Sequence, residues 1–466
     1  MIDSNPSSCS KKKFVGKKSI KLSQSNPTNL NHSILKSNQI SNEIKNNSIL
    51  NDSIKNLLPS NYNFELPKII HQIRLNQIQI LALQFPEDII ILGDVTYGAC
   101  CIDDFTAKSL GCQMLVHFGH SCLIPIDQTS IKTLYVFVEI SIDRQHLFDT
   151  VINNFPNCLE NLPSNLKHIK IQHEINSNHP FHLALVGTVQ FISALQALKC
   201  DLENHNSLNH LALPSTHHLD HSKITKSFNS WKITLPQIKP LSPGEILGCT
   251  APKLPHDTDA ILYLGDGRFH LESIMIANPT IPAYRYDPYE KKITHEEYDH
   301  LKMKQLRSKA ISKASQSLQS SSSLNTPNEK DWAIILGTLG RQGSLSVLKS
   351  ISNGFKSQAT HSRELVPILL SELSPLKLNL FHLDIQVFVQ TSCPRLSIDW
   401  GESFNVPLLN PYEAKVCFGQ AKPFQVDSSD DQLLDSYPMD FYADDSLGDW
   451  TPRFGRARKR ISKPTS

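Results

Sequence analysis

Leu183-Ala184-Leu185-Val186-Gly187-Thr188 and Ala333-Ile334-Ile335-Leu336-Gly337-Thr338 are the stretches whose reading decides the fold. Each is a short apolar run that ends in Gly-Thr. The first leads into a helical stretch from Gln190 to Leu198, and the second passes Gln342 into another from Ser344 to Ile351. A strand, a glycine-bearing loop and a helix in that order form the repeating unit of an α/β fold with mainly parallel sheets. The two units mark the starts of a second and a third domain.

A first domain is expected to open in the same way, at Ile78-Gln79-Ile80-Leu81-Ala82-Leu83-Gln84. There the chain runs through Phe85-Pro86-Glu87-Asp88 straight into the next apolar run, Ile89 to Leu92. Parallel neighbours need a crossover of about a dozen residues, which this link does not supply. The first crossover helix is therefore missing. Either the two runs pair as a hairpin, or they do not both form, or the sequence has lost a segment, which is the preferred reading. In each case the first domain is expected to be the least stable.

The chain has 466 residues, which suits three domains. Its 46 basic and 44 acidic residues leave a net charge of +2, so bulk electrostatics point neither to direct nucleic-acid binding nor to a membrane. Ten cysteines without a short-spaced disulfide framework, no apolar leader and no apolar stretch near membrane length predict an intracellular, cytoplasmic protein with reduced or metal-bound thiols. The expected organisation is a disordered basic tail over 1–60 and α/β domains over 61–180, 181–330 and 331–425. An acidic and then basic tail follows over 426–466, with only Tyr437 to Tyr442 apolar enough to dock. Within the second domain, the five histidines between His205 and His221 read as an insertion, and Ser312 to Asn328 as a linker.

Three cysteines stand at or just beyond the ends of apolar runs: Cys100, Cys249 and Cys393, separated by 149 and 144 residues. Intervals that are long and nearly equal suggest one thiol per domain. Thiolates that converge from distant segments suit a soft metal centre, such as zinc, copper(I) or an iron–sulfur cluster. Cys100 and its neighbour Cys101 compete for the first role, and position alone does not decide between them. His117 to Pro125, with two histidines and Cys122, lacks a second zinc half-site and reads as a polar loop. The glycine-bearing turn Gly265-Asp266-Gly267-Arg268-Phe269-His270 presents backbone N–H groups with Arg268 and His270 as a seat for an anion or carboxylate, and Gly337 to Gly343 is a second glycine-rich turn, compatible with nucleotide or amino-acid binding. The second turn lacks the Lys-Ser/Thr ending of a P-loop.

At these motifs the chain resembles the subunit 1 family of the eukaryotic 2-(3-amino-3-carboxypropyl)histidine synthases of diphthamide biosynthesis. The matching stretches are Gly93 to Phe105, His117 to Asp127, Lys239 to Pro252, Leu264 to Asp287, Gly337 to Gly343, Cys393 to Gly401 and Tyr437 to Tyr442. The resemblance implies three similar α/β domains around one central 4Fe-4S cluster. It makes Tyr-Gly-Ala-Cys the source of the first ligand, Cys100, Leu-Gly-Cys that of Cys249, and Cys-Pro-Arg that of Cys393. It also implies a non-classical radical S-adenosylmethionine transferase. In that chemistry the cluster's open iron binds S-adenosylmethionine, and its 3-amino-3-carboxypropyl group passes as a radical to a histidine of elongation factor 2. Arg268, His270 and Arg341 are the candidates for the side facing S-adenosylmethionine. The implied partners are a related second synthase subunit in a heterodimer and a small metal-binding electron-donor protein, with elongation factor 2 as the protein substrate. Two competing readings are a non-catalytic scaffold subunit that carries the cluster, and a nucleotide-binding or zinc protein with structural thiols.

Overall fold

The structure is a computed structural model that describes residues 39–85, 102–119, 124, 126–158, 180–211, 231–319, 330–358, 363–426 and 436–455. Ile89–Leu92, Cys100, Cys101 and Cys122, which the sequence singles out, lie outside these residues. Among the described residues no helix is long and apolar enough to cross a membrane.

The chain begins with two helices, α1 (Asn42–Lys45) and α2 (Ser48–Leu57), followed by β1 (Tyr62–Asn63) and α3 (Leu66–Leu75). The sequence places residues up to 60 in a disordered tail, and for 42–57 this is corrected. Ile44 is buried, Asn47 caps α2 by accepting from the Leu50 N–H at 2.9 Å, and Glu43 pairs with Arg74 of α3.

A small sheet follows, built from β2 (Leu81–Gln84), β3 (Met114–Phe118) and β4 (Lys132–Val136), all parallel in that spatial order. Between β2 and β3 lies α4 (Asp104–Ser109), capped by Asp103, whose carboxylate accepts from the Thr106 N–H. The described parallel partner of β2 is thus the strand that follows this helix. β5 (Glu139–Ile140) returns to pair antiparallel with β1. Next comes α5 (Arg144–Cys158). It was expected in the first domain, but its Leu147, Val151 and Phe155 pack in the same core as Phe181, Leu183 and Leu185 of β6 (Phe181–Gly187), an inner strand of the second sheet.

The second sheet has the spatial order β10-β9-β8-β6-β7 and is parallel except for its last hairpin strand. After β6, α6 (Ile192–Leu211) leads to β7 (Trp231–Thr234), and β8 (Ala260–Leu264) leads through α7 (Phe269–Ala277) to β9 (Ala283–Asp287) and β10 (Lys292–Glu296). Every residue of β6 and β8 is buried, as expected of strands covered on both faces. The α6 helix passes through His205 and His210, so the histidine-rich stretch begins as regular helix.

The third sheet is parallel throughout, with the order β12-β11-β13-β14. It is entered from α8 (His300–Gln319), which runs through the serine-rich stretch read as a linker; Ala314 and Leu318 of that stretch are buried beside Trp332. The sequence between them is helical because its apolar residues recur at i and i+4 on the face toward the third core. The elements are β11 (Asp331–Gly337), α9 (Leu345–Gln358), β12 (Leu365–Leu370), α10 (Pro375–Asn379), β13 (Ile385–Gln390), α11 (Pro394–Trp400), β14 (Leu408–Leu409) and α12 (Pro411–Cys417). Gly337, the end of the repeated Gly-Thr motif, is forced by close approach: an added Cβ would stand 2.3 Å from Ser392 Oγ.

Two ion pairs, each with a fully buried carboxylate, hold the sheets together. Arg307 of α8 donates from Nε and NH2 to Glu413 of α12, at 2.7 Å each, and from NH2 to the Leu408 carbonyl. Glu413 also accepts from Tyr437 and takes part in the capping box with Asn410, so each of its oxygens is used. The second pair joins the first sheet to the third. Arg341, in the loop after β11, donates from Nε and NH2 to the two oxygens of Asp104 at 2.6 and 2.8 Å, and its guanidinium lies over the Phe105 ring. Its backbone N–H donates to the Ile102 carbonyl at 3.0 Å. Gly340, at φ 54°, permits this seat, because an added Cβ would meet that carbonyl oxygen at 2.4 Å.

The last described segment, 436–455, was expected to dock only through 437–442. It is packed along more of its length. Ala443, Asp444, Thr451 and Arg453 are buried, Arg453 donates to Asp444, and Lys415 of α12 donates to Asp449.

Two outcomes follow. Glu413→Gln leaves Arg307 buried without its counter-charge and should lower the unfolding free energy by about 3–5 kcal/mol, read from the denaturant midpoint. For Asp104, burial pushes the carboxyl pKa up, but the hydrogen bonds and charge of Arg341 and the Ser130 hydrogen bonds outweigh it, bringing the pKa from 3.8 to about 2. The folded value is the depressed one, so the stabilisation is present above about pH 4 and is lost as pH falls through about 2. Acid unfolding of Asp104→Asn should therefore show a shallower pH dependence in that window, and an identical profile would show that the pair contributes nothing.

Candidate metal centre

Cys249 and Cys393 lie 144 residues apart in sequence and meet in one small apolar cluster with Leu241, Leu247 and Phe441. Both are buried and neither is in a disulfide. Cys393 is delivered by β13, the inner strand of the third sheet, and occupies the N-cap of α11 with Pro394 as the first helical residue. Gln390 fixes this corner by accepting from the Ser392 N–H at 2.7 Å and donating to the Cys393 carbonyl at 2.9 Å.

Cys249 sits in an irregular loop. Its segment is joined to the second sheet by the Ile246 N–H donating to the Gly187 carbonyl, and it closes on itself through reciprocal bonds between Leu247 and Thr250. The other side is covered by the 436–455 segment. The Ala251 N–H donates to the Met439 carbonyl at 2.8 Å, the Phe441 N–H to the Cys249 carbonyl at 3.4 Å and the Tyr442 N–H to Thr250 Oγ1 at 3.0 Å. A cavity of about 20 Å³, room for one water, lies between Cys249, Pro394, Tyr412, Tyr437 and Trp450.

The Cys393 thiol is pushed up to about 11, chiefly by burial, which outweighs the lowering by the Arg395 N–H and guanidinium. Such a thiol is protonated at neutral pH, so it is unsuited to act as a free nucleophile. A coordinated soft metal removes the proton outright, and two buried sulfurs in one apolar cluster suit that role. Among the described residues no group of three His, Cys, Asp or Glu suited to a metal is present, and the first expected ligand, Cys100, lies outside them. Close downstream, Ile102 and Asp104 bond to Arg341 in the loop after β11 of the third sheet, while the Asp103 N–H donates to Gln84 Oε1 of β2 in the first sheet at 3.1 Å.

The glycine-rich turn at Gly337–Gly343, read from sequence as a possible small-molecule loop, receives Ile102 to Asp104 of the first unit. Arg341 is accordingly engaged by Asp104. Arg268 pairs with Glu296 at 3.0 Å and Glu272 at 3.5 Å and donates to the Glu297 carbonyl. His270 lies in the first turn of α7, with its ring edge-on to Phe269 and its carbonyl accepting from Ser273. Sequence reasoning did not single out Thr250, Gln390 or Arg395. The Cys-Pro-Arg stretch was the only signal for the last, because partners so distant in sequence leave no local pattern.

The family model described as "Putative diphthamide synthesis protein" matches residues 66–427. The 2-(3-amino-3-carboxypropyl)histidine synthase subunit 1 of Gallus gallus is 44% identical, covering 91% of each chain, and that of Schizosaccharomyces pombe is 42% identical, covering 95% of this chain and 94% of its own. The Homo sapiens protein of the same name is 42% identical, covering 91% of this chain and 84% of its own. Among solved structures, the Dph2 of Pyrococcus horikoshii with a 4Fe-4S cluster has the same fold at a TM-score of 0.53, with 20% identity over 81% of this chain and 95% of its own. Sequence identity of this order over nearly the whole chain, joined to the motifs around Cys249 and Cys393, means that the chain belongs to the 2-(3-amino-3-carboxypropyl)histidine synthase subunit 1 family.

Proposed function

We propose that the protein catalyses the first step of diphthamide biosynthesis, as a cytoplasmic transferase working with a related second subunit and a small metal-binding electron donor. In this reading three α/β units surround one 4Fe-4S cluster held by Cys100, Cys249 and Cys393. The observation that carries it is the burial of Cys249 and Cys393 in one cluster, with Ile102 and Asp104, shortly after Cys100 in sequence, bonded to Arg341 in the loop after β11 of the sheet that delivers Cys393. A relative of similar fold carries such a cluster in its solved structure.

When bound, a cluster with one iron free of thiolate supplies the electron that splits S-adenosylmethionine and sends its 3-amino-3-carboxypropyl group, as a radical, to a histidine of elongation factor 2. The chain's own contribution is placement. Leu241, Leu247 and Phe441 keep water from the two thiols, and the bonds from Met439 to Tyr442 hold the Cys249 loop against them. For the substrate side the proposal keeps Arg268, His270 and Arg341, the two guanidinium groups acting from positions anchored by Glu296 and Asp104.

The test is anaerobic reconstitution with iron, sulfide and the second subunit, followed by transfer of label from the carboxyl group of S-adenosylmethionine to elongation factor 2. The parent chain should be brown and active, whereas Cys249→Ala and Cys393→Ala should each lose the transfer. Retained transfer in Cys249→Ala would favour a scaffold subunit. A colourless protein that holds zinc would remove the cluster from the account.

A further inference from the structure

We infer that Arg395 is the positioning residue that sets the spacing of Cys249 and Cys393, an inference that rests on reading these thiols as ligands of one cluster. Arg395 follows Cys393 by two residues and is wholly buried. Its Nε donates to Asp399 Oδ1 at 2.8 Å, one turn further along α11, which fixes the guanidinium relative to the helix that Cys393 caps. NH2 donates to Glu272 Oε2 at 2.5 Å, on α7 of the second sheet. NH1 donates to the Gly248 carbonyl at 3.1 Å and the Phe269 carbonyl at 2.8 Å, and the guanidinium plane lies over the Phe269 ring at 4.5 Å.

The Gly248 carbonyl belongs to the peptide bond that enters Cys249. Holding that oxygen holds the Cys249 backbone at its N-terminal peptide, while the 436–455 segment bonds to the Cys249 carbonyl and the Ala251 N–H. One planar side chain therefore spans both thiol segments, bonded at one end to the Cys393 helix and at the other to the peptide beside Cys249. A buried cation with two partly exposed acids is a poor way to gain stability, since a packed apolar residue does as well. What the planar fork gives is fixed direction, and lysine does not reproduce it. Groups that hold metal ligands in place commonly set affinity as strongly as the ligands' own surroundings do.

The experiment uses the full-length chain carrying Arg395→Lys or Arg395→Ala. In the metal-free state, a short bifunctional thiol reagent followed by peptide mapping measures whether Cys249 and Cys393 remain within bridging reach. After anaerobic reconstitution, iron retention against a chelator and the electron paramagnetic resonance of the reduced cluster are recorded. Both variants should bridge less, change the resonance and hold iron roughly 10- to 100-fold more weakly, while far-ultraviolet circular dichroism stays at the parent value. Added guanidinium ion should restore bridging in Arg395→Ala. If Arg395→Ala does not fold, Arg395→Lys carries the test, because it keeps the buried charge and loses only the fork. Bridging and iron retention at parent levels in the folded variants would overturn the inference. A parent chain that bridges normally yet takes up no iron would instead sink the cluster reading and leave the spacing role of Arg395 measured.

Discussion

Two thiols separated by more than a hundred residues share one apolar cluster only if the backbone on both sides is held still, and that constraint governs the structure around it. Neither thiol segment belongs to a sheet ladder: Cys393 caps a seven-residue helix, and Cys249 sits in an irregular loop. A loop in a buried position must satisfy its peptide groups by other means. Here they are satisfied by the Gly187 carbonyl of the second sheet, by the guanidinium of Arg395 from the third, and by the backbone of Met439 to Phe441. The site is therefore an interface before it is a pocket, and its geometry depends on how the sheets are joined.

The joining elements explain why core membership and sequence order diverge. The α5 helix leaves the first sheet and covers the second, and α8 leaves the second and covers the third. Met303, early in α8, still packs with the second core, while Ala314 and Leu318 pack with the third. Because each connecting helix contributes apolar residues to the core ahead of it, the sheets share hydrophobic burial and cannot separate without exposing it. The Arg307–Glu413 pair ties α8 to α12, and the Arg341–Asp104 pair joins the first sheet to the third; at both places charged partners fix one register among the many that apolar packing alone would accept.

The parallel sheets and the grouping of Cys249 with Cys393 were legible in the sequence. Buried parallel strands such as Phe181–Gly187 have an unmistakable apolar run, and Gly-Thr at the strand end marks the turn. Less legible were the segments whose composition suggests solvent. Ser312 to Gln319 looks like a linker by content, yet the spacing of Ala314 and Leu318 places both on the buried side of α8. The region beyond 436 is acidic and appears detached, but Asp444 and Asp449 are neutralised by Arg453 and Lys415, so charge that would favour solvent becomes part of the packing. Arg341 was read as a ligand-facing donor. The residue that anchors it, Asp104, lies more than two hundred residues earlier, beyond the reach of any local pattern.

The amino-acid sequence by itself determined the strand-and-helix periodicity, the three thiol contexts and the chemistry that sulfur ligands favour, since these depend on residue type and short-range spacing. Tertiary structure alone decided which carbonyl Arg395 grips, that the glycine turn after β11 holds another part of the chain, and that the last described segment closes over Cys249. The physical reason is that hydrogen-bond pairing between distant segments is set by where folded surfaces meet, and no propensity of the residues concerned encodes that meeting in their neighbours.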